Sequence, residues 1–286
     1  MPFRKAVLSL AILLLATTPL ALAQGTYTQI DFPGAVYTQA YGINGAGDVV
    51  GGYNDSSGNN HGFFLSGGVY TTIDDPDVPQ NFAYGINDVG QIVGSNGLSS
   101  FIYDLQTQTF TTVSFPSSHS STVAFAINNA GVVVGYLLIN SNNTVGFEYK
   151  DGSYLAVRRP GFSETDLVGI NGLGQALGDD QVGATGTGFL YVGGKFQTIR
   201  VPAKLYTAFG LNDLRAIVGQ YRPSGQNASQ GFVYQNGNLQ EIAFPGSVSG
   251  LAFGINNSGM VSGGFADSAG NSHGFTWTPP ADAAKK

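Results

Sequence analysis

Hydrophobic and polar residues alternate along this chain in short runs, the period of a half-buried strand. Tyr70-Thr71-Thr72-Ile73-Asp74 is one such run, and Phe110-Thr111-Thr112-Val113-Ser114 repeats its pattern further on. Gly, Asn or Pro closes each run, the punctuation of tight turns between strands. Beyond the first two dozen residues no apolar stripe has helical spacing, so an all-β chain is predicted.

The runs recur in register. A Gly-Ile-Asn-like segment ends at Asn44, Asn87, Asn128, Asn171, Asn212 and Asn256, at intervals of 41 to 44 residues. Three residues after each Asn stands Gly47, Gly90, Gly131, Gly174 or Gly259, with Arg215 as the exception. Seven residues after it stands Gly51, Gly94, Gly135, Gly178, Gly219 or Gly263. A second half-motif opens at Phe63, Phe101, Phe147, Phe189, Phe232 and Phe275 and closes with a Pro. Each copy reads as four strands; in the second they are Ala83 to Asn87, Gln91 to Ser95, Phe101 to Asp104 and Phe110 to Ser114. Six units of this size predict a six-bladed β-propeller of four-stranded blades.

The phase of the repeat predicts how the ring closes. The chain opens with a lone fourth-type strand, Tyr27 to Phe32, and ends after a third-type strand, Gly274 to Thr278. The N-terminal strand should therefore complete the last blade and cover its open edge.

Composition places the chain outside the cell. Arg4 and Lys5 precede an apolar run from Ala6 to Leu15, and Ala21-Leu22-Ala23 offers small residues for cleavage before Gln24. Residues 1–23 read as a signal peptide, 24–280 as the propeller and 281–286 as a flexible tail. The apolar run is too short to span a bilayer, so no membrane insertion is expected after cleavage. A secreted protein, extracellular or periplasmic, is the expectation. With no Cys, packing alone must hold the fold, and thiol or iron–sulfur chemistry is excluded. Only 10% of residues are charged, and without the leader ten basic residues face 18 acidic ones. Such a surface, lacking a Lys/Arg cluster, argues against nucleic acid as a partner.

These repeats resemble the probable extracellular HAF-repeat family, rich in Gly-Ile-Asn and Val-Val-Gly, as in Gly42-Ile43-Asn44 and Val49-Val50-Gly51. The resemblance spans Tyr27 to Trp277. The naming His-Ala-Phe segment survives as His61-Gly62-Phe63 and His273-Gly274-Phe275, with Gly for Ala; four repeats lack the His. The resemblance implies secretion and no assigned catalytic residues.

Chemistry is sparse. No nucleophile elbow, metalloprotease helix or phosphate loop occurs, and the three histidines His61, His119 and His273 form no triad pattern. The loop Asp55 to His61 is nearly repeated as Asp267 to His273. An Asx turn explains each, and a ligand shared by His61, His273, Asp55 and Asp267 is the alternative. Where four repeats carry Phe or Val before the Pro, two carry Asp75 and Arg159, charges expected to be exposed or functional. Arg158-Arg159, near Glu164 and Asp166, suggests an ion-pair cluster or an anion contact. The expectation is a monomeric, non-catalytic binding or scaffold module for a glycan, peptide or envelope protein, with no cofactor or metal. The alternative is a secreted carbohydrate-active enzyme, a lyase or hydrolase, using Tyr, His and Arg or an Asp pair on the loop face.

Overall fold

The computed structural model describes residues 25–115, 121–140, 143–180, 187–203 and 206–281. The leader, His119 and nearly all of the tail lie outside them. Among the described residues every regular element is a strand.

The first strand is β1 (Thr26–Ile30). The first repeat then gives β2 (Tyr37–Ile43), β3 (Val49–Asn54), β4 (Asn60–Ser66) and β5 (Val69–Ile73). The second gives β6 (Phe82–Ile86), β7 (Gln91–Ser95), β8 (Ser100–Asp104) and β9 (Thr109–Val113). β10 (Ser121–Ile127), β11 (Val133–Asn140), β12 (Asn143–Lys150) and β13 (Ser153–Val157) form the third. β14 (Asp166–Ile170), β15 (Ala176–Asp180), β16 (Thr187–Val192) and β17 (Lys195–Thr198) form the fourth. The fifth holds β18 (Tyr206–Leu211), β19 (Ile217–Tyr221), β20 (Gln230–Gln235) and β21 (Asn238–Ile242). The last holds β22 (Ser249–Ile255), β23 (Val261–Ala266) and β24 (Ser272–Thr278).

These strands make a propeller-like ring of four-stranded antiparallel units. The second to fifth repeats are four separate sheets, each ordered as its strands follow in sequence. The repeat predicts six separate sheets, and here the structure differs. Strands of the first and last repeats share one eight-stranded sheet, joined by the parallel pair Tyr37↔Ser272. The cause is local. β1 lies antiparallel on β24 from Thr26↔Thr278 to Ile30↔Gly274 and leaves the edge at Ser272 free, where Tyr37 takes it.

One Phe–Gly exchange explains why each unit packs as it does. Phe63, Phe101, Phe147, Phe189, Phe232 and Phe275 are all fully buried. A Cβ on Gly51, Gly94, Gly178, Gly219 or Gly263 would strike the ring of the Phe paired with it across the ladder. The second strand gives up a side chain so that the third can bury a ring, each worth about 2 kcal/mol or more. The core itself lies between neighbouring sheets: Val50 packs with Ile86, Ile92 and Phe101, and Val134 with Leu167, Ile170 and Phe189. The fourth strands run mostly exposed, fully buried only at one end.

Candidate binding site at the channel mouths

The first strand of every repeat lines a common passage, whose two ends differ in chemistry. At one end the repeated asparagines, all buried, sit at the close of the first strand. Each Oδ1 accepts the backbone N–H groups two and four residues on, as Asn171 does from Leu173 and Gln175. Each Nδ2 from Asn87 onward donates to the carbonyl of the next repeat's Asn, at 3.0 Å for Asn87 to Asn128 and 3.2 Å for Asn171 to Asn212. The last link, Asn256 to the Asn44 carbonyl at 2.9 Å, joins residues 212 apart and closes the circle. Asn44 itself turns its amide to Asp48. The turn-capping role is legible from sequence; the bond between repeats is not. Asp88 and Asp213 continue the pattern outward, each holding a backbone N–H of the preceding repeat and the amide of Asn129 or Asn257.

The other end is a collar formed by the residue three before each Asn: Tyr41, Tyr84, Phe125, Val168, Phe209 and Phe253. All six are half-buried around a cavity of about 170 Å³. Ring centroids lie 5.1 Å apart for Tyr41 and Tyr84, 5.3 Å for Tyr84 and Phe125, and 5.3 Å for Phe209 and Phe253. Phe253 meets Tyr41 at 5.0 Å, so the aromatic ring is broken only at Val168. Burial raises the Tyr41 hydroxyl well above the usual phenol range and Tyr84 to about 12, so both stay neutral hydrogen-bonding groups. The sequence carried this signal as an aromatic recurring before Gly-Ile-Asn.

The repeat that breaks the collar also carries three carboxylates. Asp166 sits directly opposite Asp179 across the β14–β15 ladder, and Asp180 follows. Asp179 is 7% exposed and Asp180 is fully buried. Burial, with the Asp180 and Asp166 charges, pushes Asp179 up to about 6; burial, partly offset by a Thr144 bond, does the same to Asp166. One oxygen of each of the three acids is buried without a hydrogen-bond partner.

The residues singled out in the sequence fall elsewhere. Arg159 is drawn inward: its guanidinium pairs with Asp180, donates to Thr198 and lies over Phe162 and Phe189. Arg159 thus pairs with Asp180 rather than with Glu164 or Asp166, because a buried carboxylate needs its cation. Asp75 is buried as well, its carboxylate accepting the Asp77 N–H within a turn. Arg158 donates to Asn143.

His61 is held between Asp74 at 2.7 Å and Asp55 at 3.6 Å and stacks on Tyr53. His273 is held in the same manner by Asp31 and Asp267 and stacks on Phe265. Each is thus engaged by its own pair of carboxylates. Desolvation pulls the His273 imidazole down, but its bonds to Asp31 and Asp267 together leave it above the usual value. Asp55 and Asp267 fall to about 2, chiefly through the Asn59 and Asn271 bonds of their Asx turns. Among the described residues no group of three or more His, Cys, Asp or Glu is arranged to hold a metal ion.

No family model and no curated protein sequence matches the chain. Solved structures do. TolB from Acinetobacter baumannii aligns with TM-score 0.56 and 12% identity over 81% of this chain, which spans 63% of the TolB chain. A candidate gluconolactonase aligns with TM-score 0.56 and 11% identity, covering 89% of this chain and 93% of that one. A lectin from Aleuria aurantia, described as a six-bladed β-propeller with a fucose recognition mode, aligns with TM-score 0.52 and 12% identity. That match covers 86% of this chain and 96% of the lectin. At such identities the likeness carries the fold alone: this chain has a β-propeller fold.

Proposed function

We propose that the protein is a secreted, non-catalytic propeller that binds a glycan at the aromatic mouth of its channel. The observation that carries this reading is the collar. Five flat rings and Val168 enclose an open cavity, with two neutral phenols among them. A pyranose has apolar faces and a hydroxyl rim, and this wall complements both. A lectin of the same fold is described as recognising fucose, which favours a sugar over other occupants.

The ring is read as six blades, the eight-stranded sheet counting as two. Support comes from the six Asn-terminated strands around one passage and from the six-bladed neighbour. Secretion rests on the N-terminal basic, apolar and small-residue pattern, and the HAF-repeat resemblance agrees with it. A second reading, a glycan hydrolase or lyase, has one observation in its favour: Asp166 and Asp179 are paired carboxyls poised near pH 6.

A glycan array probed with the parent and with Phe253→Ala tests the main reading. Selective binding that falls about tenfold or more in the variant is expected; equal binding by both contradicts it. Release of reducing ends from an array-positive glycan, abolished by Asp179→Asn, would favour the enzyme instead.

A further inference from the structure

The break in the collar coincides with an unbalanced charge. Val168 is the one short, non-aromatic side chain in the ring, and two residues before it stands Asp166. The equivalent positions in the other repeats are Gln39, Phe82, Val123, Thr207 and Leu251, all uncharged. That position borders the collar: Phe82 packs on Tyr41 at 5.9 Å and on Tyr84 at 6.3 Å. Asp166 acts on the hydroxyl of Tyr136, whose ring lies 5.6 Å from Phe125 of the collar.

Asp166 and Asp179 face each other, Asp180 is next to them, and of the three acids Arg159 pairs with Asp180. Asp179 is more than nine-tenths buried, and its Oδ1 has no partner; Oδ1 of Asp166 has none either. A buried carboxylate left unpaired is costly, and a cation relieves the cost. No metal-holding arrangement occurs among the described residues. Neighbouring aromatic faces favour an organic ammonium group, which carboxylates and π-faces can share.

We propose that the notch at Val168 is a subsite for an ammonium group on the ligand, so that the preferred glycan carries an unacetylated amino sugar. This deepens the collar reading and rests on it. Asp166 and Asp179 supply the negative charge, Tyr136 and Phe125 the aromatic wall, and the short Val168 the opening.

Calorimetric titration with a glucosamine dimer and an N-acetylglucosamine dimer at pH 7 tests it, using the parent, Asp166→Asn, Val168→Phe and Phe253→Ala. The amine dimer should bind the parent at least tenfold tighter than the acetylated one. Asp166→Asn and Val168→Phe should erase that preference, and Phe253→Ala should weaken both dimers. Equal binding of the dimers, unaffected by Asp166→Asn but lost in Phe253→Ala, overturns the notch and keeps the collar. Amine binding lost in Asp166→Asn yet untouched by Phe253→Ala keeps the notch and overturns the collar. If neither dimer binds the parent at millimolar concentration, the subsite is overturned.

Discussion

The two mouths of the channel are built from the same six strands, yet one is repetitive and satisfied while the other is irregular and frustrated. At the Asn mouth each polar side chain serves its own turn and, in five repeats, also the next repeat. At the collar the fourth repeat departs from its siblings, with a short Val168 and carboxylate oxygens lacking partners. Regularity there serves assembly of the ring. Departure from it, maintained against a cost in stability, is what a ligand site requires.

The largest effect should come from breaking the frame both mouths share. Deleting residues 25–34 removes the strand on β24 together with Ile30, which is buried, and Phe32, which stacks on Tyr53 at 3.6 Å. A loss on the order of 5 kcal/mol, with aggregation, is expected in thermal unfolding. An unchanged melting temperature would contradict closure through β1. Next comes the satisfied mouth alone. Asn171→Ala takes the acceptor away from the Leu173 and Gln175 N–H groups and removes the bond to the Asn212 carbonyl, which keeps the Arg215 N–H. It should cost about 2–4 kcal/mol in urea unfolding.

The frustrated mouth should respond with the opposite sign. The Asp179 carboxyl is pushed up to about 6 in the folded protein, against 3.8 for an unperturbed Asp. Folded protein therefore holds the proton more tightly, so this stabilisation is present below about pH 4 and is lost as pH rises through 6. Asp179→Asn should be about 2 kcal/mol more stable than the parent at pH 7 and equal to it at pH 4. A variant less stable at pH 7 would show that the acids support the fold. The smallest effect is expected at Arg215, which holds φ +59° where all five siblings are Gly with positive φ. Arg215→Gly should gain about 1 kcal/mol, measured by chemical denaturation.

Much of this could be read from the chain. The four strands of the second repeat lie within one residue of where alternation puts them, and β1 pairs with β24 as the phase of the repeat requires. Asn also caps its turn as expected. What escaped was every side-chain contact between repeats, and one backbone joint. The Asn-to-Asn bonds, the Tyr37↔Ser272 joint and the inward turn of Arg159 toward Asp180 all cross between segments that spacing alone does not bring together. His61 and His273 drew notice because titratable residues are rare here, yet nearby carboxylates already engage both. The collar was visible as a recurring aromatic, but its meaning depends on six strands facing one axis.

The most direct test of binding at the collar is aromatic-region NMR of the protein titrated with a glycan found on the array. The expected result is saturable shifts at Tyr41, Phe125 and Phe253, with the side-chain amides of Asn87, Asn171 and Asn256 unmoved. Shifts confined to those amides, or to the outer Thr-rich strands, would contradict a ligand in the aromatic mouth.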